Sequence, residues 1–231
     1  MDLENKIAVV TGVSKGIGKA TVEALLDKNV KVIGWGRTAP KGIYHPNFLF
    51  VNCDVSDVNS IARAYNNTIE KWGERIDILI NNAGLGYFKL MEELTLSEWN
   101  EMFDVNVKGT FLCCKVILPL MKQNKLGHII NISSIAGTQG LSEGSGYCAS
   151  KFAVRGFSQS LYKEARTFNV KVSCIYPGSV QTDFFKNYPA ITTNDDMMKP
   201  HEIANSIVHV LETPDNILPV DLELRPMRVK M

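Results

Sequence analysis

Short runs of β-branched and aliphatic residues alternate along this chain with longer segments of helical periodicity, and nothing else in the sequence restricts the fold as much. The apolar runs are residues 7–10, 30–33, 48–51, 76–80, 128–132 and 170–175, with a last one within 217–224. Several are continuous, as strands buried on both faces of a parallel sheet require. Between them lie helical candidates at 17–27, 58–72, 97–122, 147–167 and 201–211. Ser97 stands as N-cap of the third, with Asn100 where a capping box would carry Glu or Gln. Repeated β-α-β units with right-handed crossovers predict an α/β fold, a doubly wound parallel sheet of about seven strands with helices on both faces. The link 36–47 contains Pro40 and Pro46 and is too short for a full crossover helix, whereas 184–199 reads as a loop over the site.

At 231 residues, without internal repeat or linker, the chain predicts a single domain over 1–231, because open α/β sheets often exceed the prior of about 150 residues per domain. Hydrophobic residues at 45% and charged residues at 21% exclude a disordered chain. A net charge of +1 without runs of like charge excludes nucleic acid and acidic membrane surfaces as evident partners. Met1-Asp2-Leu3-Glu4-Asn5-Lys6 lacks the features of a secretory signal, and no apolar stretch is long enough to span a bilayer. Cys53, Cys113, Cys114, Cys148 and Cys174 include no C-x-x-C, so neither a disulfide framework nor a metal site is expected. A cytoplasmic protein with reduced thiols follows.

The first strand runs into Thr11-Gly12-Val13-Ser14-Lys15-Gly16-Ile17-Gly18, followed by a helix. Glycines there allow a tight turn and close approach of backbone to a pyrophosphate, whose charge would sit on the N–H groups at the helix N-terminus. The G-x-x-x-G-x-G spacing differs from both G-x-G-x-x-G and the triphosphate P-loop. Alone, such a turn can also be purely structural.

About 20 residues past the glycines an acidic residue would bind a ribose 2′-hydroxyl. This chain has Trp35-Gly36-Arg37 there, and Lys15 adds a second cation in the turn. Both can pair with a 2′-phosphate, which predicts NADP(H) over NAD(H); solvated surface charge is the bland alternative. Asp54 after the third strand and Asn81-Asn82-Ala83-Gly84 after the fourth leave room for a flat ring, although plain turns use the same residues.

Tyr147-Cys148-Ala149-Ser150-Lys151 opens a helix and puts a phenol and an ammonium on one face. A free tyrosine titrates about 3 units too high for neutral proton exchange, a gap of about 4 kcal/mol. One ammonium about 4 Å away supplies about that much at an effective dielectric near 20. Ser134 lies at the carboxyl end of the fifth strand, where open α/β sheets bind ligands, and could hydrogen-bond a substrate oxygen. Asn106 lies in Val105-Asn106-Val107-Lys108-Gly109-Thr110, a poor helix former inside a strong helix, where a kink could free Asn106 and a carbonyl to hold a water.

With these motifs in this order, the chain resembles the classical short-chain dehydrogenase/reductases from about Lys6 to the last strand. The resemblance rests on Thr11–Gly18, Asp54-Val55, Asn81–Gly84, Asn106, Ile132–Gly137, Tyr147–Lys151 and Pro177-Gly178 with Thr182. It implies a Rossmann fold and an oxidoreductase acting on a small-molecule carbonyl or alcohol. Tyr147 would be the general acid/base, Ser134 would orient the carbonyl, and Lys151 would bind the nicotinamide ribose and lower the tyrosine pKa. Asn106 would hold a relay water. Gly12, Ser14, Lys15, Gly16, Ile17, Gly18 and Arg37 would hold the phosphates. Asp54 and Val55 would contact adenine, Asn82, Ala83 and Gly84 would line the cofactor, and Pro177, Gly178, Val180 and Thr182 would flank the nicotinamide. Leu85, Gly86, Tyr87, Phe88, Gln139, Glu143, Phe184 and Tyr188 would line the substrate pocket. The last strand lacks the Gly-rich end of many tetrameric members, so a homodimer through the helices of Ser97 and Tyr147 stands beside a homotetramer as the expected assembly. A non-catalytic NADP-binding sensor on the same fold is the competing reading.

Overall fold

The computed structural model describes residues 1–185, 188 and 194–228. Its strands are β1 Ile7–Thr11, β2 Lys31–Gly36, β3 Phe48–Asn52, β4 Ile78–Asn81, β5 Gly127–Ile132, β6 Val170–Pro177 and β7 Asp221–Leu224. They form one seven-stranded sheet, β3-β2-β1-β4-β5-β6-β7, in which every neighbouring pair is parallel. The helices are α1 Gly16–Leu26, α2 Val58–Trp72, α3 Leu96–Met102, α4 Gly109–Asn124, α5 Ser145–Ala165 and α6 Pro200–Glu212. The strand order reverses between β1 and β4, which opens a crevice at their carboxyl ends.

The pleat assigns each strand residue to a layer. Ile7 and Val9 pack with Ile61 of α2, Ile117 of α4 and Leu161 of α5. Ala8 and Val10 face the other way, onto Val22 and Leu25 of α1 and Ile203 and Ile207 of α6. Burial on both faces explains why the strands read as continuous apolar runs.

Four elements differ from the sequence reading. The third helix starts at Leu96, one residue earlier, and its N-cap is Thr95 instead of Ser97, because Thr95 and Glu98 form a full capping box in which Thr95 Oγ1 accepts from Glu98 N and Glu98 Oε2 from Thr95 N. The predicted helix 97–122 is interrupted by a π-helical turn at Phe103–Lys108. Strand β2 continues through Gly34 and Gly36, poor strand formers held by ladders to β1 and β3. Strand β7 begins only at Asp221, because the carbonyls of Ile217 and Pro219 accept from Lys171 and Ser173 instead of joining a ladder. The link between β2 and β3 has no helix, as expected. Of the predicted loop 184–199, residues 186, 187 and 189–193 lie outside the described residues. Among those described, no helix is long and apolar enough to cross a membrane, and all five cysteines are free and buried.

Candidate active site

The site begins where β1 ends. Gly12 adopts φ +71°, and a Cβ there would come within 2.7 Å of Ala83 Cα, so the turn lies directly on the segment that follows β4. Asn82 fastens the two together: its Nδ2 donates to the carbonyls of Thr11 and Gly12 at 3.0 and 3.1 Å. Thr11 Oγ1 in turn accepts from the backbone of Asn82 and Ala83 at 3.0 and 2.9 Å. The Asn82 amide is thus committed to shaping the glycine turn. Helix α1 starts from that turn with an N-cap, Lys15, whose side chain makes no capping bond, and with no acid in its first turn. Its open N–H groups and positive dipole end suit an anion.

Across the crevice, Ser134 follows β5 in extended conformation and caps a 3₁₀ turn, its Oγ accepting from Ala136 N at 3.2 Å. Tyr147 and Lys151 lie one turn apart on α5, both buried. The Lys151 ammonium donates to the Ile132 carbonyl at 3.0 Å and stands 5.8 Å from the centre of the Tyr147 ring. Burial holds Lys151 down to about 8. Burial also pushes the Tyr147 phenol above its ordinary value, against the opposing influence of Ser134. In this structure the ammonium is turned onto a carbonyl, and desolvation outweighs whatever lowers the phenol.

The expected kink at Asn106 is present as the π-helical turn, but Asn106 itself is not free. Its Oδ1 accepts from Leu85 N at 2.9 Å, and its Nδ2 donates to Leu85 O at 2.8 Å and to Ser150 Oγ at 3.0 Å. Its carbonyl already accepts from Thr110 Oγ1. Asn106 fixes the path of the chain after β4, and its Oδ1 would lie 3.2 Å from a Cβ on Gly84.

These elements enclose a cleft of about 760 Å³ at the carboxyl ends of the strands. It is lined by every residue predicted to catalyse or to hold the cofactor except Gly18, packed under the Gly12 carbonyl, and Asn106. Leu85, Phe88, Phe184 and Tyr188 line its far end as expected, whereas Gly86, Tyr87, Gln139 and Glu143 do not. Tyr87 donates instead to Glu101, and Glu143 accepts from Tyr188.

A model of the short chain dehydrogenases matches residues 6–192. The chain belongs to the short-chain dehydrogenase/reductase family. Members of that family are NAD(P)-dependent oxidoreductases, and this chain is one by descent. An uncharacterised oxidoreductase of Staphylococcus saprophyticus is 34% identical over 98% of this chain and 100% of its own. Human dehydrogenase/reductase SDR family member 11 is 34% identical over 96% and 94%. An alcohol dehydrogenase of the archaeon Thermococcus sibiricus, solved in complex with 5-hydroxy-NADP, superposes with a TM-score of 0.87 at 28% identity over 99% of this chain and 100% of that one.

The residues fit a dinucleotide of the family's kind. The uncapped α1 would hold the pyrophosphate, and Gly84, packed against Asn106 and Lys151, leaves the cleft wall flat. Asp54 is held below the usual carboxylate range by the hydroxyl and amide of Ser56, with Arg37 adding to the effect. Lys15 is ion-paired with Asp183 at 3.0 Å, both side chains exposed. Sequence reasoning missed Thr11 as the clamp of the turn, and Leu141 and Ser142 as lining residues. A threonine hydroxyl has no sequence pattern that reveals a cross-strand partner. Leu141 and Ser142 reach the cleft only because the chain folds back before α5.

Proposed function

We propose that this family member interconverts a small carbonyl compound and its alcohol with NADP(H), one domain carrying both cofactor and substrate. The observation that carries this reading is convergence: Ser134, Tyr147 and Lys151, from two elements, meet on one wall of a cleft whose other wall is an uncapped helix N-terminus. The residues of that cleft would hold a reduced nicotinamide, whose chemistry would be to supply hydride to the carbonyl carbon. Tyr147, which burial keeps protonated at neutral pH, donates the proton to the carbonyl oxygen, and Ser134 donates a hydrogen bond to the same oxygen. Lys151 supplies the positive charge that stabilises the phenolate left behind until solvent returns the proton. Asn106 acts by positioning Leu85 and Ser150.

Preference for NADP(H) is assigned to Arg37, exposed at the end of β2 with no acid in its place. Lys15 can contribute only by leaving Asp183. The exposed rings of Phe111 on α4 and Phe152 on α5 favour a homodimer through these helices, and buried free thiols suit the cytoplasm.

The test is oxidation of NADPH with a panel of aldehydes and ketones. Turnover that vanishes in Tyr147→Phe supports the reading. Tight NADPH binding with no turnover on any carbonyl would turn the assignment to the non-catalytic sensor.

A further inference from the structure

We infer that the substrate is a neutral ketone carrying an apolar ring next to its carbonyl, an inference that rests on the hydride-transfer reading above. The wall that surrounds the Tyr147 phenol is aromatic. Phe88 lies 5.1 Å from the Tyr147 ring and 6.1 Å from Phe184, and Phe184 lies 5.6 Å from Tyr147. Tyr188 extends the row at 5.0 Å from Phe88. Leu141 adds an apolar side chain to the lining. The rings are fixed from behind, since a Cβ on Gly86 would come within 2.9 Å of Tyr147 Cδ2 and 3.0 Å of Phe184 Cζ. A flat apolar ring placed among them makes offset and edge contacts that a linear chain of equal size cannot reproduce.

Charge points to a neutral substrate. Among the described residues that line the cleft, three cations occur, and each is engaged or remote. Lys15 pairs with Asp183, Lys151 is buried on the Ile132 carbonyl, and Arg37 stands at the end of β2. Among the described residues, Tyr188 at the aromatic end spends its hydroxyl on Glu143. Among the described residues, a carboxylate on the substrate would lose its water at that wall without meeting an unengaged cation.

Three ketones of matched size decide the point: a neutral phenyl ketone, a straight-chain ketone of equal carbon number, and the phenyl ketone bearing a ring carboxylate. With NADPH, kcat/KM for the neutral phenyl ketone should exceed each of the others by about tenfold, equivalent to about 1.4 kcal/mol. Calorimetry on the Tyr147→Phe variant loaded with NADPH should give the same ranking of affinities without turnover. Phe88→Leu and Phe184→Leu, which keep apolar bulk and remove a ring, should bring the phenyl-to-chain ratio close to one. Equal or better use of the chain or carboxylate ketone overturns the inference, as does a ring preference that survives both variants. Reduction of the chain ketone alone would leave hydride transfer intact and remove the ring. Absence of both NADPH oxidation and ketone binding across the panel would remove both.

Discussion

The two ends of the sheet carry buried ionisable groups of similar kind and use them differently. At the amino end, His128 Nε2 meets Ser173 Oγ at 2.8 Å, Ser173 donates to Pro219 O, and Lys171 donates to Pro214 O and Ile217 O, both at 2.7 Å. Asp77 accepts from Ile7 N and from Arg75. Burial drives His128 down to about 3, and its Nδ1 has no partner. At the carboxyl end, burial moves Tyr147 and Lys151 as it moves His128. What separates the two is direction. At the amino end Lys171 and Ser173 fasten the segment leading into β7 and no group there lines the cleft, whereas Ser134, Tyr147 and Lys151 all line it. A displaced pKa marks burial; convergence on a cavity marks a site.

The largest contrast is expected from Tyr147→Phe, which should lower kcat for carbonyl reduction by roughly 10²–10⁴-fold while NADPH still binds. Steady-state kinetics beside a fluorescence titration reads both quantities, and a small loss would take the phenol out of the chemistry. The amino end should show itself in stability instead. His128 is held near 3 in the fold against 6.5 when unfolded, so the unfolded chain takes up the proton first. The stability due to the neutral imidazole is complete above pH 6.5 and is lost as pH falls toward 3, at most roughly 5 kcal/mol at 1.36 per unit. His128→Leu should flatten that acid limb in denaturant titrations and leave neutral kcat within about twofold. An unchanged acid limb would mean that His128 does not set it.

Arg37→Asp tests the outer part of the cleft. Removing a charge-assisted contact to a 2′-phosphate should shift the NADPH-to-NADH ratio of kcat/KM by roughly 10–100-fold toward NADH. An unchanged ratio would relieve Arg37 of that role. The smallest effect separates activity from stability within one group. Lys151 titrates at about 8 in the fold and 10.5 outside it. Above pH 8 its ammonium is lost, and kcat/KM for reduction should decline by up to about tenfold per pH unit. Over the same interval from 8 to 10.5 the unfolded chain holds more protons, so the fold should gain stability. Activity and stability moving together there would contradict the burial of Lys151.

Much of this was legible in the sequence for a physical reason: local rules set it. Continuous apolar runs announced a sheet buried on both faces, and the glycine turn, the Tyr147–Lys151 spacing and Ser134 after a strand named residues on both walls of the cleft. Spacing could not show which atoms were already occupied. Asn106 and Asn82 looked available in the sequence, and the fold commits their amides to Leu85, Ser150 and the glycine turn.

The sequence by itself determined the layer order, the family and the candidate chemistry, because periodicity and spacing act over a few residues of the chain. Only the tertiary structure decided the aromatic wall around Tyr147, the Lys15–Asp183 pair and the ammonium turned toward Ile132. These contacts join residues up to 168 positions apart, and burial sets the titration of the phenol and the lysine. Neither quantity can be read from neighbours in sequence.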